Sequence, residues 1–216
     1  GATAYGWLAE HLASYGFVVI VPDHQETLDP QNELWPAAVT RPEDILTVFE
    51  FVDAQVKLDG VLAGLVDAEN TAVIGHSYGG YMTLTLASRH PELWAAAIDM
   101  FGPYDLLTFA SRVPETWKPF MKMLVGDPET EQDFMRERSP RTYIEQVTAP
   151  MLVVQGKNDP RVIEQESREL VEKLREIGKE VDYLMFPDEG HDVLKYENRV
   201  KVYTTMTDFF KKHLGS

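Results

Sequence analysis

The residues with the clearest chemistry form the run Gly75-His76-Ser77-Tyr78-Gly79, with Gly80 directly behind it. A serine with glycine two places before and after it suits a tight, strained turn that lifts the hydroxyl clear of the chain, glycine at 75 and 79 removing side chains that would clash there. A free hydroxyl is a weak nucleophile near neutral pH. Ser77 would therefore need an imidazole to take its proton and an acid to orient that imidazole. Six histidines offer themselves. His11 sits in an early helical pattern, His76 flanks the serine with its side chain expected to point elsewhere, and His90 precedes Pro91 at a helix end. His213 lies near the C-terminus, and His24 could border the site but precedes the serine. His191, in Pro187-Asp188-Glu189-Gly190-His191, fits best. Candidate acids are Asp159, in Gln155-Gly156-Lys157-Asn158-Asp159, and Asp99, with Asp105 close behind; Asp188 and Asp192 are too near His191 in sequence to orient it.

These residues must be held by something, and the hydrophobic pattern says what. Trp7, Leu8, His11, Leu12 and Tyr15 recur at helical spacing over residues 3–15, and Gly16 suits a helix end. Phe17–Val21 is a continuous apolar run, expected to be a strand buried on both faces. Residues 22–41 read as a loop, and a helix is expected from Pro42 to about Leu58. Strands are expected at 71–74, 94–98, 151–154 and 181–186, with helices at 78–89, 163–177 and 193–213. Such alternation implies an α/β protein with a mostly parallel sheet covered by helices on both faces. Residues 103–147 break it. They carry Pro103, Pro114, Pro119, Pro128 and Pro140 among Trp117, Phe120, Met121, Met123 and Phe134, and are expected to form a short helical cap over the site.

A G-x-S-x-G between a strand and a helix is the nucleophile elbow of the α/β-hydrolase fold, whose chain order is serine, acid, histidine. That order assigns Ser77 as nucleophile and His191 as general base. Asp159 is the favoured acid because it follows the customary strand, with Asp99 as the competitor on the preceding one. The backbone N–H of Tyr78 would face a developing oxyanion.

The segment Gly75–Leu84 resembles the nucleophile region of the prolyl oligopeptidase family of serine hydrolases. The likeness extends through Arg138-Ser-Pro140, Ala149–Gly156, Asn158-Asp-Pro-Arg-Val162, Glu166-Ser167, Phe186–His191 and Glu197-Asn-Arg199. It implies an acyl-enzyme mechanism on esters, amides or short peptides. It also implies a substrate-binding role for Arg161, two residues after the acid, as a ligand of a substrate carbonyl. Residues 1–75 are more similar to dienelactone-hydrolase-like and cutinase-like ester hydrolases. That family's catalytic domain begins with additional strands, and its second oxyanion donor comes from a loop that would end at or before Gly1. The expectation is therefore one α/β-hydrolase domain over 1–216 lacking some N-terminal strands and any substrate-filtering propeller. Such a domain suits small esters, which makes a carboxylesterase the first expectation. A serine peptidase of aminopeptidase or acylaminoacyl-peptidase type is the alternative, and a truncated, non-catalytic module the third.

Composition bounds these readings. The 216 residues suffice for one α/β domain with a real core. A net charge of −15 argues against nucleic acid and against anionic membrane surfaces as partners. The chain has no cysteine, hence no thiolate nucleophile or cysteine metal site, which suits a reducing, cytoplasmic setting. No stretch approaches the roughly 20 apolar residues of a membrane span. No metal or organic cofactor is implied; the partner is a small ester or short peptide. An exposed N-terminal edge strand would favour a homo-oligomer.

Overall fold

The computed structural model describes residues 6–22, 34–57, 60, 63, 66, 67 and 69–215. The chain divides into two compact units, Gly1–Asn70 with Ser216, and Thr71–Gly215.

In the first unit, helix α1 (Gly6–Ala13) buries Leu8 and Leu12, four residues apart on one face. Gly16, at φ +90°, turns the chain out of it. Two expectations fail here. Residues 17–22 form no strand; Val18 is 58% and Ile20 48% exposed. An apolar run becomes a strand only with a ladder partner, and among the described residues this run has none. Helix α2 spans Leu34–Val56, so it begins well before Pro42, which lies inside it. Proline removes one N–H from the helical ladder, and a helix of 23 residues continues past that single gap. His24 lies outside the described residues.

The second unit is built on a four-stranded parallel sheet of β1 (Ala72–His76), β2 (Ala96–Met100), β3 (Met151–Gly156) and β4 (Val181–Phe186), in the order β1-β2-β3-β4. Every residue of β2 and β3 is buried, which is why 94–98 and 151–154 read as apolar runs, Asp99 and Gln155 being buried polar residues beyond them. The strands are connected through α3 (Tyr78–Arg89), the 103–147 segment and α7 (Glu164–Glu176), and α8 (Tyr196–Leu214) follows β4. Helix α3 is buried from Gly80 to Ser88, Thr85 and Ser88 turning their hydroxyls onto carbonyls of the preceding turn. Helix α8 instead buries one stripe of Val202, Met206, Phe209 and Phe210.

Register fixes the geometry that matters most. His76, Met100, Val154 and Leu184 form one row across the four strands. The loops after β1, β3 and β4 therefore leave the same carboxyl edge of the sheet, the edge at which open α/β sheets build their sites.

Residues 103–147 fold into α4 (Leu106–Arg112), α5 (Lys118–Val125) and α6 (Gln132–Arg138), with 3₁₀ turns between. The prolines of this segment fall between helices or in first turns, as their missing N–H requires. The segment is stitched to its neighbours: Tyr81 Oη of α3 donates to Arg138 O at 2.9 Å. On the other side, buried Glu166 of α7 accepts from Asp105 N, Thr108 Oγ1 and Arg112 at 3.1, 2.7 and 2.6 Å. No described helix is long and apolar enough to cross a membrane.

Candidate active site

Ser77 occupies the turn between β1 and α3 at φ 58°, ψ −116°, a conformation L-residues rarely adopt. Its N–H donates to Met100 O at 2.7 Å, and its carbonyl accepts from Tyr81 N at 3.0 Å. The turn is possible because position 75 lacks a side chain: a Cβ there would run into the carbonyl of Gly79. The expectation of a like constraint at Gly79 is not met, since a Cβ at that position would have open space.

The loops bring three of the singled-out residues together. Ser77 Oγ lies 2.7 Å from His191 Nε2, and His191 Nδ1 lies 2.6 Å from Asp159 Oδ2. An ionised carboxylate only accepts, so Nδ1 carries the hydrogen. That leaves Nε2 as the lone-pair acceptor for the serine O–H. The Asp159 side chain is fully buried and that of His191 9% exposed. Asp159 Oδ1 accepts from Arg161 N at 2.8 Å and Val162 N at 3.0 Å, and Oδ2 also accepts from Gln155 Nε2 at 3.2 Å. Four donors thus fix this carboxylate in position and stabilise its charge.

Two supporting residues escaped sequence reasoning. Gln155 Nε2 bonds Val162 O at 2.9 Å as well as Asp159, and Gln155 Oε1 accepts from Ser167 Oγ at 2.9 Å. The signal was present: a glutamine closing a wholly apolar strand run must find partners inside the core.

The histidine loop has its own brace. Glu189, 4% exposed, accepts from Leu194 N, Lys195 N and Asn198 Nδ2 at 3.2, 2.9 and 2.8 Å. Burial raises its proton affinity, but these hydrogen bonds outweigh burial and hold the carboxyl below the ordinary glutamate value. The loop is also tied to the acid loop. Lys157 N donates to Phe186 O at 2.9 Å, Asn158 N to Glu189 O at 3.0 Å, and Asn158 Nδ2 to Pro187 O at 3.1 Å.

His76 is placed beside the site, its ring 5.4 Å from that of His191 and 4.9 Å from Phe101. Burial, then the charge of His191, lowers its proton affinity below that of a free imidazole. Asp99, the competing acid, is bonded to Gly102 and not to His191, whose Nδ1 is taken by Asp159. It is fully buried and accepts from Gly102 N at 3.1 Å. Asp105 caps α4 through Leu107 N and pairs with Arg141, while Asp188 pairs with Lys195. Tyr78 is the first residue of α3, where a helix gathers partial positive charge. The Arg161 guanidinium lies 5.6 Å from the ring centroid of Trp117, a residue of the 103–147 segment. Among the described residues, no group of three or more His, Asp or Glu side chains is placed to hold a metal ion.

A serine hydroxyl on an imidazole, at the carboxyl edge of a parallel sheet, defines the class: a serine hydrolase of the α/β-hydrolase fold. The chain belongs to the prolyl oligopeptidase family, which it matches over residues 3–216. It is 39% identical over 155 residues to dipeptidyl aminopeptidase BIII of Pseudoxanthomonas mexicana, a match covering 69% of this chain and 22% of that one. Cutinase est2 of Thermobifida alba is 38% identical over 94 residues, covering 44% of this chain and 28% of the cutinase. A puromycin-hydrolyzing peptidase of Mycobacterium tuberculosis superposes with a TM-score of 0.74 at 27% identity, over 85% of this chain and 26% of that structure. The chain spans under a third of the length of each of these proteins.

Proposed function

We propose that this protein hydrolyses short peptides as a serine peptidase that releases an N-terminal dipeptide or acylated amino acid. The observation that carries the chemistry is the continuous hydrogen-bonded chain from Ser77 Oγ through His191 to Asp159. The similarity to a dipeptidyl aminopeptidase over two thirds of the chain supports peptides rather than esters, the first expectation, as the substrate class.

In this reading Ser77 Oγ attacks the scissile carbonyl as His191 Nε2 takes its proton. The oxyanion is met by the Tyr78 N–H at the start of α3. The imidazolium, steadied by Asp159, returns the proton to the departing amine. Water then attacks the acyl carbon as the same imidazole takes its proton, the bond to Ser77 Oγ breaks, and the imidazolium returns the proton to Oγ as the acid leaves. Arg161 would hold a substrate carbonyl. The Trp117 ring beside it, 38% exposed, supports reading the 103–147 segment as a wall of the substrate site. Ester hydrolysis is the second reading, favoured by the cutinase match and native to the same acyl-enzyme chemistry.

The test compares three substrates on wild type and Ser77→Ala: a dipeptidyl p-nitroanilide with a free amino terminus, an N-acetyl-aminoacyl p-nitroanilide, and p-nitrophenyl acetate. Anilide turnover that Ser77→Ala abolishes is expected. Turnover of the acetate alone would replace the peptidase reading by the esterase. A folded wild type that turns over none and takes no fluorophosphonate label would leave the non-catalytic module.

A further inference from the structure

Behind the nucleophile turn lies a buried carboxyl that the hydrolytic chain does not use. Asp99 stands on β2 in register with Gly75, and none of it reaches solvent. Its Oδ1 accepts from Gly102 N, closing a turn over residues 99–102, and its Oδ2 has no hydrogen-bond partner among the described residues. That turn touches the site twice. Met100 O receives the Ser77 N–H at 2.7 Å. Phe101, at φ 57°, sets its ring 5.6 Å from that of His191. An aromatic residue keeps such a backbone only where its surroundings impose it. The imposition comes from both flanks: Phe101 N donates to Val154 O at 3.0 Å, and the start of α3 presses on the turn. A Cβ at Gly80 would meet Gly102 Cα at 2.8 Å and the Asp99 carboxyl itself.

We propose that Asp99 is a positioning residue of the hydrolytic site, clamping the 99–102 turn so that Met100 O fixes Ser77 and the Phe101 ring fixes His191. It acts as a neutral acid. A buried Oδ2 with no donor cannot stabilise a charge. Burial accordingly raises the proton affinity of the group well above the usual carboxylate range, opposed only by the Gly102 N–H; among the described residues no charged side chain contributes. Asparagine reproduces the shape and the acceptor of a protonated aspartate; leucine keeps the bulk and loses the acceptor.

The inference rests on Ser77 being the nucleophile, and the experiment separates the two. Wild type, Ser77→Ala, Asp99→Asn and Asp99→Leu are compared by the rate of fluorophosphonate labelling, by kcat and KM for p-nitrophenyl acetate, and by melting temperature at pH 5 and pH 8. Asp99→Asn is expected to label within about threefold of wild type, whereas Asp99→Leu labels at least about tenfold more slowly with KM unchanged. Because the folded carboxyl holds its proton more tightly than the unfolded one, wild-type stability falls as pH rises above the unfolded value. Asp99→Asn should therefore gain on wild type in melting temperature between pH 5 and pH 8. Wild-type labelling speed in Asp99→Leu overturns the inference, as does an Asp99→Asn that labels as slowly as Asp99→Leu would be expected to. Should Asp99→Leu not fold, Asp99→Asn alone decides: near wild-type labelling with the pH-dependent gain supports the clamp, and slow labelling or a pH-independent difference overturns it. Absence of label in the wild type sinks the nucleophile assignment instead.

Discussion

Replacing Asp159 with asparagine removes one charge and turns one acceptor into a donor, and the surroundings decide which one. The oxygen facing Arg161 N and Val162 N serves two backbone donors that cannot move away. The amide oxygen is expected to stay there, leaving the NH₂ group facing His191 Nδ1 and Gln155 Nε2. Two donors then confront a third. The imidazole relieves its part by shifting the hydrogen to Nε2, and a protonated Nε2 cannot take the Ser77 proton. A serine hydrolase deprived of its base tautomer loses about 10³–10⁴ in kcat, or roughly 4–5.5 kcal/mol of barrier. The stability cost is smaller, about 0.5–1.5 kcal/mol for one hydrogen bond lost, because Gln155 Nε2 keeps Val162 O and Gly156 O as acceptors. Steady-state turnover of p-nitrophenyl acetate, with a melting curve to show the variant folded, reads both. An Asp159→Asn variant within tenfold of wild type would refute the tautomer argument.

Three further perturbations follow from the same geometry. At φ 58°, ψ −116°, Ser77→Gly should be more stable than Ser77→Ala by about 1 kcal/mol, although both are expected to be inactive; a glycine variant melting below the alanine variant would contradict strain at the elbow. Glu189 has a folded proton affinity below its unfolded one, so its contribution is present above about pH 4.3 and lost as pH falls through the folded value. Glu189→Gln should thus melt a few degrees lower at pH 7, about 1–2 kcal/mol, with the gap to wild type closing toward pH 3 in thermal scans. Ser167→Ala leaves buried Gln155 Oε1 without its donor. Chemical denaturation should show a loss of about 1–3 kcal/mol, and an unchanged midpoint would mean that Oε1 has another donor.

Much of the site was readable because its residues sit at the junctions that sequence marks best. An apolar run followed by G-x-S-x-G and a continuous helical pattern located β1, the elbow and α3 to within two residues. The run 181–186 became β4 without adjustment. What failed depended on partners that no local pattern contains. Phe17–Val21 has a strand's composition, yet lacks a ladder neighbour among the described residues. Pro42 reads as a helix start because its fixed φ suits one, and nothing nearby says that the helix already began at Leu34. Asp99 and Asp159 both follow or end buried strands at the same edge of the sheet. Only the fold shows that one turns inward to Gly102 and the other toward His191. The first expectation of esters drew on a similarity of the first 75 residues, whereas the proposed peptidase reading draws on the similarity to a dipeptidyl aminopeptidase over 155 residues.

The bonds that tie the acid loop to the histidine loop have a mechanical consequence. β3 and β4 are adjacent, and their loops share main-chain and side-chain bonds, so Asp159 and His191 travel as one body. Ser77 rides on β1, three strand spacings away, or about 14 Å between strand axes. Any shear or twist of the sheet accumulates across that span and is delivered almost entirely to the gap between Ser77 Oγ and His191 Nε2. Heat, pressure or a distant mutation should therefore part Ser77 from His191 first, in molecules whose carboxylate–imidazole pair is still intact.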